Sequence, residues 1–250
     1  MQLKNKTVVI IGGAGLLGSE FSRTCAHEGA KLIVVDTNIE KSKMLVKELG
    51  AEFIPANIAD EKALLRLVRD IKKRHSTIDG LVHAAYPKTK KYGAPIETAD
   101  AKDLLVNLDL QLGGPLLSTR AFMPILAKDA SVIFFSSIYG IAAPRFEIYR
   151  GTKMMGVPAE YAGVKGGTVA LTRFFASLLG KRGIRVNAIS PGGIFDNQPK
   201  SFVRAYSKKA FIPGGLLSPK DIAGAVVFLL SDASRKMTGQ NMVIDGGWTL

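Results

Sequence analysis

The stretch TVVIIGGAGLLGSE, residues 7–20, decides the fold. A β-branched run of strand length leads into a glycine-rich loop, and helical spacing begins near Leu16. Gly13, Gly15 and Gly18 satisfy G-x-G-x-x-G, while Gly12, Gly15 and Gly18 satisfy the related G-x-x-G-x-x-G. Residues without side chains let the backbone turn tightly and bring a pyrophosphate against the N-terminus of the helix that follows. Alone, such a loop is a weak sign, because a glycine-rich turn with no ligand reads the same way. The next β-branched run, KLIVVD at 31–36, supplies the second half of the argument. It ends in Asp36, 21 residues after Gly15, where a carboxylate can accept hydrogen bonds from ribose hydroxyls and repel a 2′-phosphate.

Outward from this unit the alternation continues. AEFIPA (51–56), GLVHAA (80–85), SVIFFS (131–136), IRVNAI (184–189) and NMVID (241–245) are separated by helical patterns. In the segment DEKALLRLVRDIKKRH, Asp60 reads as an N-cap, and Ala63, Leu64, Leu67, Val68 and Ile71 form one apolar face. Strand, helix, strand repeated this way implies right-handed crossovers and a parallel sheet covered on both faces. The pattern predicts an α/β, doubly wound Rossmann fold of about seven parallel strands. Residues 1–250 read as a single domain, because no linker, repeat or low-complexity tract divides them.

Composition narrows the function classes. Apolar residues make up 47% and charged residues 22%, and no apolar run reaches the length of a membrane span. Cys25 stands alone, which excludes an internal disulfide, and the three histidines are dispersed without metal-ligand spacing. A cytoplasmic location fits. The net charge of +13 could serve nucleic acid, an anionic membrane or anionic small molecules. Its basic residues are spread over helix faces (Arg66, Arg69, Lys72, Lys73, Arg74), the KTKK run at 88–91 and the region from Lys200 to Lys209, and no nucleic-acid-binding motif accompanies them. Most of this charge reads as solvated surface, and the expected partner is a small molecule rather than nucleic acid or a membrane.

The segment EIYRGTKMMGVPAEYAGVKGG, residues 147–167, contains Y-x-x-x-K twice, as Tyr149…Lys153 and Tyr161…Lys165. A tyrosine that moves a proton in hydride-transfer chemistry needs its pKa lowered from about 10, and a lysine one helical turn away supplies the field. The pair works only on a helix, where i and i+4 share a face. Gly151, Gly156 and Pro158 make the first copy a poor helix. The second copy heads a segment with an apolar face at Val164, Leu171, Phe174, Phe175 and Leu178. Its glycines at 163, 166 and 167 predict a backbone packed closely there.

IGGAGLLG, VVD, DGLVHAA, LLVNLDLQLGGPLLSTRA, VIFFSSIYG, YAGVKGGTVALTRFFASLLGKRGIRVNAISPGG and SDASRKMTGQNMVIDGGW together resemble the short-chain dehydrogenase/reductase family over essentially the whole chain. The resemblance selects Tyr161 and Lys165, because the family's tyrosine heads the helix that leads into I-R-V-N-x-I-x-P-G. It places the catalytic serine at Ser137, before Gly140 in S-S-x-x-G, and the helix asparagine at Asn107, on a helix that GGP at 113–115 could bend. It implies NAD-dependent interconversion of an alcohol and a ketone, with Tyr161 moving the proton, Lys165 lowering its pKa, Ser137 bonding the reacting oxygen and Asn107 tethering a water. Cofactor contacts are implied at Gly12, Gly15, Leu16, Leu17, Gly18 and Asp36, then at Asn57, Ala84 and Ala85. Further contacts are implied at Tyr161, Lys165, Pro191, Gly192 and Ile194, and the assembly implied is a homodimer or homotetramer.

The chain departs from the family pattern in three places. Ser137 and Tyr161 lie 24 residues apart, about twice the usual spacing, so an insertion separates them and Tyr149 falls nearer the usual count. The family's N-N-A-G reads His83, Ala84, Ala85 and Tyr86, with His83 expected in the core, and Asn57 stands where an acid is usual. The loops near 141–160 and 195–219 are expected to flank the substrate, with Tyr149, Arg150 and Lys153 as substrate-binding candidates. Lys200, Arg204, Lys208 and Lys209 against Asp196 favour an anionic substrate. The wording of these segments is similar to a family branch of bacterial flagellin-glycosylation and surface-sugar pathways, which implies a phosphorylated or nucleotide-linked sugar. Alternatives are a 3-oxoacyl carrier-protein reductase, disfavoured by Asp36, and a dinucleotide sensor without catalysis, disfavoured by the intact Ser, Tyr and Lys.

Overall fold

Each of the seven β-rich runs becomes a strand: β1 Thr7–Ile11, β2 Lys31–Asp36, β3 Glu52–Pro55, β4 Ile78–His83, β5 Leu126–Phe135, β6 Arg185–Pro191 and β7 Asn241–Ile244. The computed structural model describes residues 1–152 and 154–250. All strand pairs are parallel, in the order β3-β2-β1-β4-β5-β6-β7. β5 begins five residues before the run that announces it, at Leu126 rather than Ser131.

The helices are α1 Leu16–His27, α2 Ile39–Leu49, α3 Glu61–His75, α4 Ala101–Leu108, α5 Gly114–Phe122, α6 Ala159–Leu179, α7 Lys200–Ser207 and α8 Pro219–Leu230. Alternation along β1 shows why the strands are apolar throughout. Val9 and Ile11 point into a core with Leu64, Leu67, Ile71 and Phe175, while Val8 and Ile10 point into another with Phe21, Ile222, Val226 and Leu230. Asp60 caps α3 by accepting a hydrogen bond from the Ala63 amide at 3.1 Å. A third cluster of Ile138, Ile148, Phe202, Tyr206 and Trp248 ties the segment after β5 to α7 and the C-terminal residues.

Local geometry refines the sequence reading at two places, the α4–α5 junction and α6. At GGP the helix runs on through a π-helical turn over Asp109–Gly113 that joins α4 to α5, with helical backbone at Gly113 and Gly114 and Pro115 in the turn that follows. The α6 glycines are not all close-packed, since Gly163 faces open space and Gly166 meets only the Gly140 carbonyl, at 3.7 Å from an added Cβ. Gly167 alone meets a tight neighbour, the Leu112 side chain at 3.0 Å. Phe174 and Leu178, placed on the same apolar face as Phe175, are 59% and 52% exposed, because α6 turns that stripe away from the sheet.

Chain order reverses between β1 and β4, which lie side by side, so the loops after the two strands part. That divergence opens a crevice at the carboxyl edge of the sheet.

Candidate active site

A cavity of about 940 Å³ fills the crevice. Its floor is the loop after β1. The Gly12 amide donates to the Val35 carbonyl at 2.7 Å, and Gly12 takes φ 77, a left-handed conformation that places its α-carbon against the loop after β4. A Cβ there would stand 2.8 Å from the Ala84 carbonyl carbon, so no other residue fits. A Cβ on Gly18 would strike the Gly12 carbonyl, so Gly18 serves the packing of α1 on its own loop. Gly15 caps α1 without a side-chain hydrogen bond, and no acid occupies the first turn. The positive end of the helix dipole therefore faces the cavity at Gly15, Leu16 and Leu17.

At the end of β2, the Asp36 carboxylate accepts from the Ala14 amide at 3.0 Å and from the Asn38 amide at 2.9 Å. These bonds pin it at the cavity wall beside Thr37 and leave lone pairs free for ribose hydroxyls. Asn57 closes the turn after β3, its side-chain oxygen accepting from the Ala59 amide at 3.1 Å, and lines the same end. A glycine cradle, an open helix N-terminus and a strand-end carboxylate in one crevice fit a dinucleotide.

The opposite end holds Ser137, Tyr161 and Lys165. Tyr161 and Lys165 lie one turn apart on α6, and Ser137 follows β5. Gly140 lets these elements meet, since a Cβ would lie 2.6 Å from the Lys165 carbonyl carbon, and the Ser136 hydroxyl donates to the Lys165 carbonyl at 2.7 Å. The Lys165 ammonium donates to the Phe135 carbonyl at 2.8 Å and sits 5.3 Å from the Tyr161 ring centroid. Burial lowers its pKa to about 8. Burial likewise pushes the Tyr161 phenol above its ordinary value, and the Ser137 hydroxyl beside it acts in the opposite direction. The lowered pKa expected for Tyr161 is therefore not produced by this chain's residues alone, because loss of water outweighs the favourable contacts.

The two Y-x-x-x-K copies separate cleanly. Tyr149 ends a short 3-10 turn, Phe146–Tyr149, after which Arg150 is extended, so no helix carries that pair. Tyr149 still lines the cavity, its ring 5.1 Å from that of Phe202. Arg150 is exposed and does not line the cavity, because the extended backbone at the end of the turn carries it outward. Lys153 lies outside the described residues. Lys200, Arg204, Lys208 and Lys209 are also absent from the wall, whereas Asp196 and Gln198 line it. α7 holds Lys200 and Arg204, and Lys209 pairs with Glu147 at 3.8 Å.

Ala84, Ala85, Pro191, Gly192 and Ile194 line the cavity as expected, but Asn107 does not. Its buried amide is saturated locally: it donates to the Asp103 carbonyl at 2.9 Å and to the Thr89 hydroxyl at 3.1 Å, and accepts from the Thr89 amide at 3.1 Å. That bonding leaves little capacity to tether a water. His83 is the core histidine it was expected to be, 5.0 Å from the Phe134 ring and bonded to Thr119 at 3.0 Å, with burial taking its pKa down to about 3. Sequence reasoning missed Tyr92, Tyr139, Lys88, Met154 and Met155 on the wall. In the run YPKTKKYG at 86–93, Tyr86 stands out only as a departure from the family pattern and the rest only for its lysines, although two tyrosines six apart were a usable signal.

Fold and cavity define a nicotinamide-dinucleotide oxidoreductase built at the switch point of a doubly wound sheet. A family model described as enoyl-(acyl carrier protein) reductase matches residues 14–249. The chain belongs to the short-chain dehydrogenase/reductase family, and its activity is the alcohol and ketone class of oxidoreduction. It is 34% identical to post-translational flagellin modification protein A of Campylobacter coli, over 99% of this chain and 100% of that protein. Against a 7alpha-hydroxysteroid dehydrogenase of Bacteroides fragilis it is 28% identical, over 100% and 96%. A short chain dehydrogenase of Leptospira borgpetersenii, solved with bound NAD+, superposes with a TM-score of 0.88 at 29% identity, covering 100% of this chain and 94% of that one.

Proposed function

We propose that the chain uses NAD(H) in preference to NADP(H) to interconvert a secondary alcohol and a ketone on a phosphorylated or nucleotide-linked sugar, within the cytoplasm. The convergence of Ser137, Tyr161 and Lys165 on one wall of the dinucleotide crevice carries the reading. When bound, the nicotinamide accepts or returns a hydride. Tyr161 takes the alcohol proton in oxidation and gives one in reduction. Ser137 bonds the same oxygen, and Lys165 favours the phenolate through its charge and holds the nicotinamide ribose hydroxyls. Asp36 at the ribose end, with uncharged Thr37 beside it, favours the cofactor without a 2′-phosphate.

Three features support the substrate class. They are the similarity to a flagellin modification protein, the tyrosine hydroxyls of the wall, and Lys88 at its rim as a cation for the substrate's phosphate. The loops near 141–160 and 195–219 act as the substrate side of a single domain spanning 1–250, through Tyr149, Met154 and Gln198. Exposed apolar residues on α4 and α6, among them Leu105 at 65% and Phe174 at 59%, support a homodimer or homotetramer with closed two-fold contacts. Light scattering at micromolar concentration checks the assembly, and a monomer refutes it.

The deciding experiment follows NADH consumption and NAD+ reduction over a panel of nucleotide-linked and phosphorylated sugars beside uncharged sugars, hydroxysteroids and 3-oxoacyl thioesters. Turnover confined to the charged sugars supports the reading. Turnover only on steroids or acyl thioesters overturns the substrate class, and dinucleotide binding without any turnover supports a sensor instead.

A further inference from the structure

Tyr86 stands at the departure HAAY and has no part in the mechanism above. Pro87 follows it and disfavours helical backbone there, and Tyr86 lines the cavity wall. The Tyr86 ring meets the Tyr161 ring edge-on, with centroids 5.8 Å apart and planes at 82°. The Lys165 ammonium lies 5.4 Å from the Tyr86 centroid and 5.3 Å from that of Tyr161. One cation is thus flanked by two aromatic rings, with one N–H already given to the Phe135 carbonyl. The outer part of Tyr86 stays open to the cavity, leaving the residue 43% exposed.

What holds Tyr86 is Tyr92. Their hydroxyls share a hydrogen bond, and their rings meet at 89° with centroids 5.9 Å apart. Tyr92 is itself braced from the insertion. Gly93, at φ 88, leaves a space into which the Met155 thioether packs, and any Cβ there would collide with it. The insertion between Ser137 and Tyr161 thereby reaches back to the loop that carries both tyrosines.

We propose that Tyr86 and Tyr92 are positioning residues for the Tyr161–Lys165 pair: Tyr92 fixes the Tyr86 ring, which holds Tyr161 edge-on and screens the Lys165 ammonium from water. This rests on the reading of Tyr161 and Lys165 as the proton-handling pair. Neither group of the clamp transfers a proton. Its contribution is a fixed orientation of the reacting phenol and a dry setting for the charge beside it.

Two readouts on the full chain need neither substrate nor turnover, so they can fail independently of the functional reading. In brief labelling with acetic anhydride, followed from about pH 7 to about pH 11 so that access is read where every amine is neutral, acetylation of Lys165 is compared by mass spectrometry with that of the exposed Lys43 and Lys62. Tyr86→Gly should raise the relative labelling of Lys165 on the order of tenfold, and Tyr92→Phe and Tyr86→Phe, which break the same hydroxyl–hydroxyl bond and keep both rings, should each raise it severalfold. In protein carrying 13C at tyrosine Cζ, the Tyr161 resonance, assigned through Tyr161→Phe, should move most in Tyr86→Gly and by a similar smaller amount in Tyr92→Phe and Tyr86→Phe. A merely structural role would lower stability while the Lys165 labelling and the Tyr161 resonance of the folded variants stay at their wild-type values. If Tyr86→Gly fails to fold, Tyr92→Phe carries the test, since it removes one hydroxyl and keeps every ring. Unchanged Lys165 labelling with an unmoved Tyr161 resonance in folded Tyr92→Phe overturns the proposal.

Discussion

Replacing Lys165 with methionine should abolish turnover and stabilise the chain near neutral pH. Burial holds the Lys165 ammonium at about 8 against an ordinary 10.5. At about 1.4 kcal/mol per pH unit, that caps the cost of keeping it charged at roughly 3 kcal/mol. Below pH 8 both folded and unfolded chains hold the proton, and the full penalty applies. Between 8 and 10.5 the folded chain has released a proton that the unfolded chain still binds, so the stability due to this group rises with pH. Above 10.5 neither state is charged, and the penalty has gone. Methionine keeps most of the aliphatic stem, but it forfeits the 2.8 Å bond to the Phe135 carbonyl, worth about 1 kcal/mol. The net expectation is a gain of about 1–2 kcal/mol near pH 7, or several degrees in Tm. Calorimetry of the two proteins side by side should show this gap closing and reversing in sign once the pH exceeds 10.5. A variant less stable than wild type near neutrality, or a gap that ignores pH, refutes the reasoning that the ammonium is held against its solvation.

Tyr161→Phe should lower kcat by about a hundredfold or more while NADH binding, read by fluorescence, stays intact, because only the reacting hydroxyl is lost. Tyr149→Phe should leave kcat within a few-fold, and the reverse ranking would put the wrong tyrosine on the helix. Asp36→Ala should narrow the preference for NAD(H) over NADP(H) by about tenfold in calorimetric Kd, by removing a charge that repels the 2′-phosphate. Gly12→Ala should abolish dinucleotide binding and lower Tm, the left-handed backbone alone costing about 1–2 kcal/mol before the collision with Ala84 and Ala85.

The elements legible in the sequence were those written in local chemistry. All seven strands and the N-cap at Asp60 followed from side-chain type and spacing, and the poor helix after Tyr149 from its glycines and proline. The glycine loop, Asp36, Ser137, Tyr161 and Lys165 are brought to one cavity, as their motifs predict. The misses depended on direction. Arg150 and the basic residues of α7 have the right charge and the right chain position, yet their backbone turns them from the wall, and no residue pattern encodes that turn. Asn107 has an equally readable identity, but Thr89, 18 residues earlier in an irregular loop, takes its hydrogen bonds. Tyr86 and Tyr92 belong to the same loop, where no periodicity announces which side chain faces inward.

The reversal of strand order between β1 and β4 has a consequence for how such a protein diversifies. Asp36, proposed to select the dinucleotide, hangs from β2 on one side of the seam, whereas Ser137 and Tyr161 hang from β5 and α6 on the other. The loops proposed to meet the substrate, which line the cavity through Tyr149, Met154 and Gln198, are attached to that second half as well. Substitutions at the ribose end near Asp36 and substitutions in the loops around Tyr149 and Gln198 therefore fall on different structural blocks. Each of these two ends can drift under selection while the other stays constant, provided that the Gly12 contact to Ala84 and Ala85 at the seam holds still.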